Sequence, residues 1–242
     1  MMKSKIHIGT SGWNYDHWRG TFYPGELPTN QWLDYYSQRF QTVEVNNTFY
    51  QLPNQTTFRQ WRENSPENFV YAVKANRYIT HMKKLKDPEE SLTNFLENVR
   101  ILEHTLGPIL FQLPPNWKFN EDRLASFLEL LPDEFQYTFE FRDERWINQR
   151  TYQLLRENNI AFCIYELAGF LSPREVTADL VYLRLHGPGD KYQGKYDKKT
   201  LGEWADTFRR WADQGKEVYC YFDNDQLGYA AMNALELREM TE

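Results

Sequence analysis

The sequence is short of several things, and each shortage excludes a class. Cysteine occurs twice, at Cys163 and Cys220. Two thiols so far apart make neither a disulfide framework nor a metal-ligand spacing. Each falls in a run that predicts a buried strand, so both are expected as inert thiols of a reducing compartment. No apolar stretch comes near ~18 residues without a charge, which excludes a transmembrane span. Basic residues are outnumbered, with 28 Lys plus Arg against 34 Asp plus Glu and a formal net charge of −6. That balance gives no overall support for duplex binding, although net charge says little about a single cleft. Twelve glycines and eleven prolines are too few for a collagen or a low-complexity chain. No strand-like run is followed by G-x-G-x-x-G. Gly9-Thr10-Ser11-Gly12 lacks the lysine of a P-loop, and no H-E-x-x-H occurs. The first strand-like run starts at Ile6, directly after Met1 to Lys5, which leaves no room for a signal peptide. A cytoplasmic location follows as an expectation, and the sequon Asn46-Asn47-Thr48 is then a chance match.

What the chain has is apolar and aromatic mass, 41% hydrophobic and 17% aromatic over 242 residues. Eight β-branched or aromatic runs predict strands at 6–9, 42–46, 69–74, 109–113, 137–142, 160–165, 180–186 and 217–222. Amphipathic stretches between them predict helices at 32–40, 57–64, 121–131, 148–158, 201–214 and 227–239. A further helix follows Asp87 as N-cap and Pro88 in the first turn. It carries Leu92, Phe95, Leu96, Val99, Leu102 and Leu106 on one face and ends at Gly107 as the C′ residue. Only the connection 166–179 lacks a helix, since Gly169 and Pro173 argue for loop. Eight strands with about seven helices in this length predict an α/β fold, a (β/α)8 TIM-barrel-like single domain over residues 1–242.

The strands share a second pattern. Residues i and i+2 of a strand lie on one face. Glu44 and Asn46, Lys74, Gln112, Glu140 and Arg142, and Arg184 and His186 each end one face of a strand, with Val, Phe or Leu opposite; the eighth strand runs into Asp223-Asn224-Asp225. In a barrel the apolar face packs on helices, so the polar set points inward at the C-terminal mouth, where such folds keep their sites. Buried ions are costly unless paired, and one pair such as Glu140 with Arg184 is expected of structure alone. The larger set predicts a functional pocket. Aromatics in the loops at that mouth, Trp13, Tyr15 and Tyr50 among them, predict a binding wall. His7 is expected as a hydrogen-bonded core residue low in the barrel, and His17 and His104 as ordinary loop and helix-end residues. Asp225 has a second reading as N-cap of the last helix.

These motifs resemble a known family. Gly9-Thr10-Ser11-Gly12-Trp13 with Phe22-Tyr23-Pro24 is similar to the opening of YecE-like proteins, a bacterial and archaeal family of unknown function. The resemblance continues in order through Val43-Glu44-Val45-Asn46, Lys74 with Ile79-Thr80-His81, Gln112-Leu113-Pro114-Pro115, Glu140-Phe141-Arg142, Arg184-Leu185-His186-Gly187 and Tyr221-Phe222-Asp223-Asn224-Asp225. It implies a TIM-barrel-like fold with a pocket at the strand ends and no assigned reaction. Two departures stand out. Asp223 replaces the family's usual Asn, adding a carboxylate that could favour a cation or offset Arg142 or Arg184. Glu166 stands near the acidic position usual after the sixth strand.

Three functional readings follow. In the first, an anionic, phosphate-bearing ligand (a nucleotide, sugar phosphate or nucleic-acid fragment) is bound or hydrolysed. Lys74, Arg142, Arg184 and His186 would hold the anion, with Glu140 or Glu44 as general base and His81 or His186 as general acid. Asn46, Gln112, Asp223, Asn224, Trp13, Tyr15 and Tyr50 complete the ligand-binding set. In the second, Glu44 and Glu140 form a glycosidase pair. In the third, the pocket binds without catalysis. No metal is assigned, although Glu44, His81, Glu140, His186 and Asp223 could converge on a divalent ion, and the cofactor stays unknown. Neither a membrane nor a protein partner is implied.

Overall fold

The computed structural model describes residues 5–242. Residues 1–4, which belong to the expected lead-in and to the domain read over 1–242, lie outside that range. All eight predicted strands are present: β1 (Ile6–Thr10), β2 (Thr42–Val45), β3 (Val70–Lys74), β4 (Leu106–Leu113), β5 (Tyr137–Phe141), β6 (Ala161–Leu167), β8 (Leu180–Leu185) and β9 (Glu217–Phe222). A two-residue β7 (Phe170–Leu171) folds back antiparallel on β6. The parallel order β1-β9-β8-β6-β5-β4-β3-β2 nearly closes on itself. The seam between β1 and β2 is bridged at Ser11 and Glu44, with the Gly12 N–H donating to the Glu44 carbonyl at 2.8 Å. Gly9 permits this seam, because a Cβ there would stand 2.3 Å from the Thr42 carbonyl oxygen.

Helices α1 (Trp32–Ser37), α3 (Gln55–Glu63), α4 (Glu89–Val99), α5 (Glu121–Leu128), α6 (Gln149–Glu157), α7 (Lys198–Asp213) and α8 (Tyr229–Thr241) surround the barrel, and the short α2 (Asn47–Tyr50) follows β2 directly. Asn54, Asn120, Asn148 and Asp197 each accept a hydrogen bond from the third residue beyond, satisfying an orphan N–H of the first turn. The connection between β6 and β8 carries the hairpin to β7 and no helix.

Two local expectations are corrected. Asp87 does not cap α4: it has φ 41°, Pro88 holds the cap position, and no side chain bonds the first turn. Lys84 and Leu85 also have positive φ, and this tight turn delivers Leu85 into the core. Gly107 is not a helix end. Past Val99 the chain tightens into a 3-10 turn, Arg100–Thr105, and Gly107 lies within β4. A Cβ at Gly107 would meet Val70 Cγ1 at 2.4 Å, so this glycine serves strand packing.

The outward faces of the strands pack under the helices as one large apolar layer. Inside the barrel a smaller cluster includes Ala72, Leu110, Cys163, Tyr182 and Tyr221. Below it His7 stacks on Tyr219 at 4.5 Å and its Nε2 lies 3.0 Å from Glu217. The interior is thus a filled column, and only its upper end is ionic. Among the described residues no helix is long and apolar enough to cross a membrane.

Candidate functional site

The period-two alternation delivers Glu44, Lys74, Gln112, Glu140, Arg184 and His186 to the upper end of the column, as expected for inward faces. Gln112 stands in register with Glu140 on the neighbouring strand. Arg184 is the hub, and it is buried with Glu44 and Glu140. Its Nε donates to Glu44 Oε2 at 2.9 Å, Nη2 to Glu44 Oε1 at 2.8 Å, and Nη1 to Glu140 Oε2 at 2.9 Å. Glu44 also accepts from the Ser11 hydroxyl at 2.7 Å, the Tyr182 hydroxyl at 2.7 Å and the Asn46 amide at 3.1 Å. Glu140 Oε1 accepts from Arg142 Nε, whose guanidinium lies 4.7 Å over the Tyr165 ring. The Cys163 thiol approaches Glu140 Oε2 at 3.7 Å.

His186 closes the network. Its Nδ1 is 2.9 Å from Asp223 Oδ2, while Nε2 faces Arg142 Nη2 at 2.9 Å and Arg184 Nη1 at 3.4 Å. Guanidinium nitrogens only donate, so Nε2 accepts and the proton sits on Nδ1, donated to Asp223. Asp223 therefore offsets Arg184 and holds His186 in one tautomer.

Burial alone would raise the carboxyls of Glu44, Glu140 and Asp223. Their partners outweigh it: Arg184 at Glu44, Arg142 and then Arg184 at Glu140, and the hydrogen bond from His186 at Asp223 hold all three below the usual range. Burial and then the Arg184 charge lower His186. Burial followed by the Lys74 charge lowers His81 to about 4, so both imidazoles are neutral at pH 7.

Lys74 is different. Its side chain is buried, yet its ammonium makes no hydrogen bond or ion pair among the described residues. Nζ rests 4.3 Å from the centroid of Phe49, and His81 meets the same ring edge-on at 4.9 Å. Burial, then Arg184, pulls the Lys74 amine down to about 8. His81 is carried on a π-helical turn, Tyr78–Met82, and its Nδ1 is 2.9 Å from the Thr80 hydroxyl. The Gln112 amide likewise has no side-chain partner among the described residues.

The aromatic residues divide. Trp13 and Tyr15 line a groove of about 510 Å³ beside the ionic layer, with Asn46, Tyr50 and Trp61. Trp13 packs edge-on to Trp61, the Tyr15 hydroxyl donates to the Ser11 carbonyl, and Tyr50 is 71% exposed. Asn224 directly follows Asp223 after β9. It is buried, and its amide donates to the Gly194 carbonyl and to Asn233, tying the loop after β8 to α8. Glu166 is in register with the outward-facing Leu185, and its carboxyl meets the Tyr196 hydroxyl. Asp225 is not the cap of α8, which begins after Gly228 in left-handed conformation. It accepts instead from Trp18 Nε1 at 2.5 Å and pairs with His17 at 2.9 Å, so His17 helps to join the first and last loops. Sequence reasoning missed Tyr182 and Ser11 as partners of Glu44. Tyr182 was findable, because it precedes Arg184 by two on the same strand face.

Among the described residues no group of three or more His, Cys, Asp or Glu side chains is placed to hold a metal ion. The five residues expected as potential ligands face guanidinium groups, an aromatic ring or one another.

Residues 7–242 match the family described as "Protein of unknown function DUF72". The chain belongs to the DUF72 family. UPF0759 protein YunF of Bacillus subtilis (strain 168) is 22% identical over 98% of this chain and 95% of that protein. UPF0759 protein YecE of Escherichia coli (strain K12) is 31% identical over 57% of this chain and 48% of that protein. Among solved structures, a DUF72 protein from Thermotoga maritima MSB8 superimposes with a TM-score of 0.88 at 30% identity, covering 97% of this chain and 98% of that one. The YecE-like resemblance and the TIM-barrel-like fold thus hold for this DUF72 chain.

Proposed function

We propose that the mouth of this DUF72 barrel binds a small anionic, phosphate-bearing ligand, with Lys74 and Arg142 meeting the charge and the groove of Trp13, Tyr15 and Tyr50 taking the organic part. The observation that carries this reading is the buried ammonium of Lys74, which has no hydrogen bond or ion pair among the described residues. Glu44 and Glu140 are already covered by guanidinium, which leaves Lys74 as the cation of the mouth with no ion pair among the described residues. Glu140, Glu44 and Asp223 favour the ammonium only from beyond hydrogen-bond distance, and a buried ammonium that no acceptor meets is unfavourable until one is supplied. The same geometry weighs against hydrolysis through a glutamate base, because every Glu44 and Glu140 oxygen is hydrogen-bonded and both groups are weakened as bases.

A glycosidase reading is disfavoured by the same carboxylates. Glycoside hydrolysis needs one carboxyl kept protonated near neutral pH. Here the cations hold both ionised. A reducing, cytoplasmic setting is supported by the free, buried Cys163 and Cys220.

The test is thermal stabilisation by inorganic phosphate, nucleotides and sugar phosphates against neutral oligosaccharides. A ligand at ~100 times its dissociation constant adds ~2.7 kcal/mol. Phosphate compounds are expected to stabilise the protein, with a smaller effect in Lys74→Met. Stabilisation by neutral sugars alone would overturn the reading.

A further inference from the structure

We infer that Lys74 is an imine-forming residue, and that the ligand of this mouth is an aldehyde or ketone bearing a phosphate group. The inference rests on the anion-binding reading above and adds a covalent step to it.

Among the described residues Lys74 differs from the other charged groups of the mouth in having no hydrogen bond or ion pair to any of them. Arg184, Arg142, Glu44, Glu140, Asp223 and His186 are each held by at least one of the others. Among the described residues no acceptor holds the proton of Lys74 Nζ, which rests over the face of Phe49. An amine attacks a carbonyl in its neutral form; burial and the Arg184 charge favour that form and outweigh the opposing Glu140, Glu44 and Asp223. With the amine near 8, roughly a tenth is neutral at pH 7, against less than a thousandth for an exposed lysine. Arg142 and the free Gln112 amide remain to meet the phosphate. His81 stands across the Phe49 ring with a neutral imidazole to carry a proton.

The step balances without any further reactant. The Nζ lone pair forms a bond to the carbonyl carbon, and the π electrons move to oxygen, which takes a proton as nitrogen loses one. The carbinolamine C–O bond then breaks, and water leaves with one further proton. The nitrogen lone pair closes the C=N bond, leaving a protonated imine.

The experiment uses the full chain with dihydroxyacetone phosphate and glyceraldehyde 3-phosphate in the presence of cyanoborohydride, whose hydride reduces the imine to a stable secondary amine. Peptide mapping then gives the labelling rate of each lysine. Lys74 is expected to label at least tenfold faster than exposed lysines, with inorganic phosphate competing. Equal labelling across the surface lysines, or none at Lys74, overturns the imine. Melting temperatures with inorganic phosphate, which cannot form an imine, are read in parallel. Stabilisation by phosphate without a Lys74 adduct leaves the anion reading standing and removes the imine. Loss of both removes both. Lys74→Arg keeps a cation but cannot form the adduct, so labelling elsewhere that persists unchanged in this variant counts as background.

Discussion

Arg184 grips Glu44 with two nitrogens, Nε at 2.9 Å from one carboxylate oxygen and Nη2 at 2.8 Å from the other, and both residues are fully buried. Its remaining nitrogen serves Glu140. Arg184 therefore joins both glutamates of the ionic layer, with Arg142 as the second guanidinium on Glu140.

Removing that guanidinium leaves Glu44 buried without a cation. Arg184→Met is expected to cost ~3–5 kcal/mol, the range for one-sided loss from a buried pair. For a chain of this size that is roughly 6–20 °C in Tm. Glu140→Gln should cost less, because a neutral amide still accepts from Arg184. Thermal denaturation of both variants checks the order.

Acid stability follows from the depressed carboxyls. Glu44, Glu140 and Asp223 lie below their unfolded values, so their contribution is complete above the unfolded pKa and lost as pH falls through the folded one. Stability is expected to hold down to about pH 5 and then to fall. In Glu140→Gln the fall below that point should be shallower. Urea unfolding between pH 3 and pH 7 reads the slope.

Lys74 has the opposite sign. Its folded amine sits near 8 against an ordinary 10.5, so between those values the unfolded chain holds the proton and the folded chain does not. Stability due to this group rises with pH across that window and is least below it. Lys74→Met should therefore stabilise the protein at pH 7, by up to ~3 kcal/mol, and gain nothing by about pH 10.5. A variant that is less stable at pH 7 would show that the ammonium is satisfied.

Gly9→Ala tests the seam. The added Cβ would stand 2.3 Å from backbone, where no side chain can give way. The loss is expected at about 3 kcal/mol or more, at the upper end for overpacking. Hydrogen exchange should localise it to β1 and β2.

The strands and their inward polar faces were legible because alternation is a local property. Whichever way the barrel closed, Glu44, Lys74, Gln112, Glu140, Arg184 and His186 had to share the inside with one another. The misread local signals were ambiguous for a related reason. Gly107 serves a helix end or a close strand approach equally well, and only Val70 across the sheet decides between them. Asp225 is a good cap residue, yet Trp18, from the other end of the chain, claims its carboxylate.

By itself, the sequence determined the order of elements, the barrel and the set of charges gathered at its mouth, since each follows from spacing along a few residues. Tertiary structure decided which charges neutralise which. Glu44 and Arg184 are 140 residues apart, and their pairing depends on strand register and closure. It also decided that Lys74 is left without an acceptor among the described residues, because such an absence is a property of every neighbour at once and is written in no local pattern.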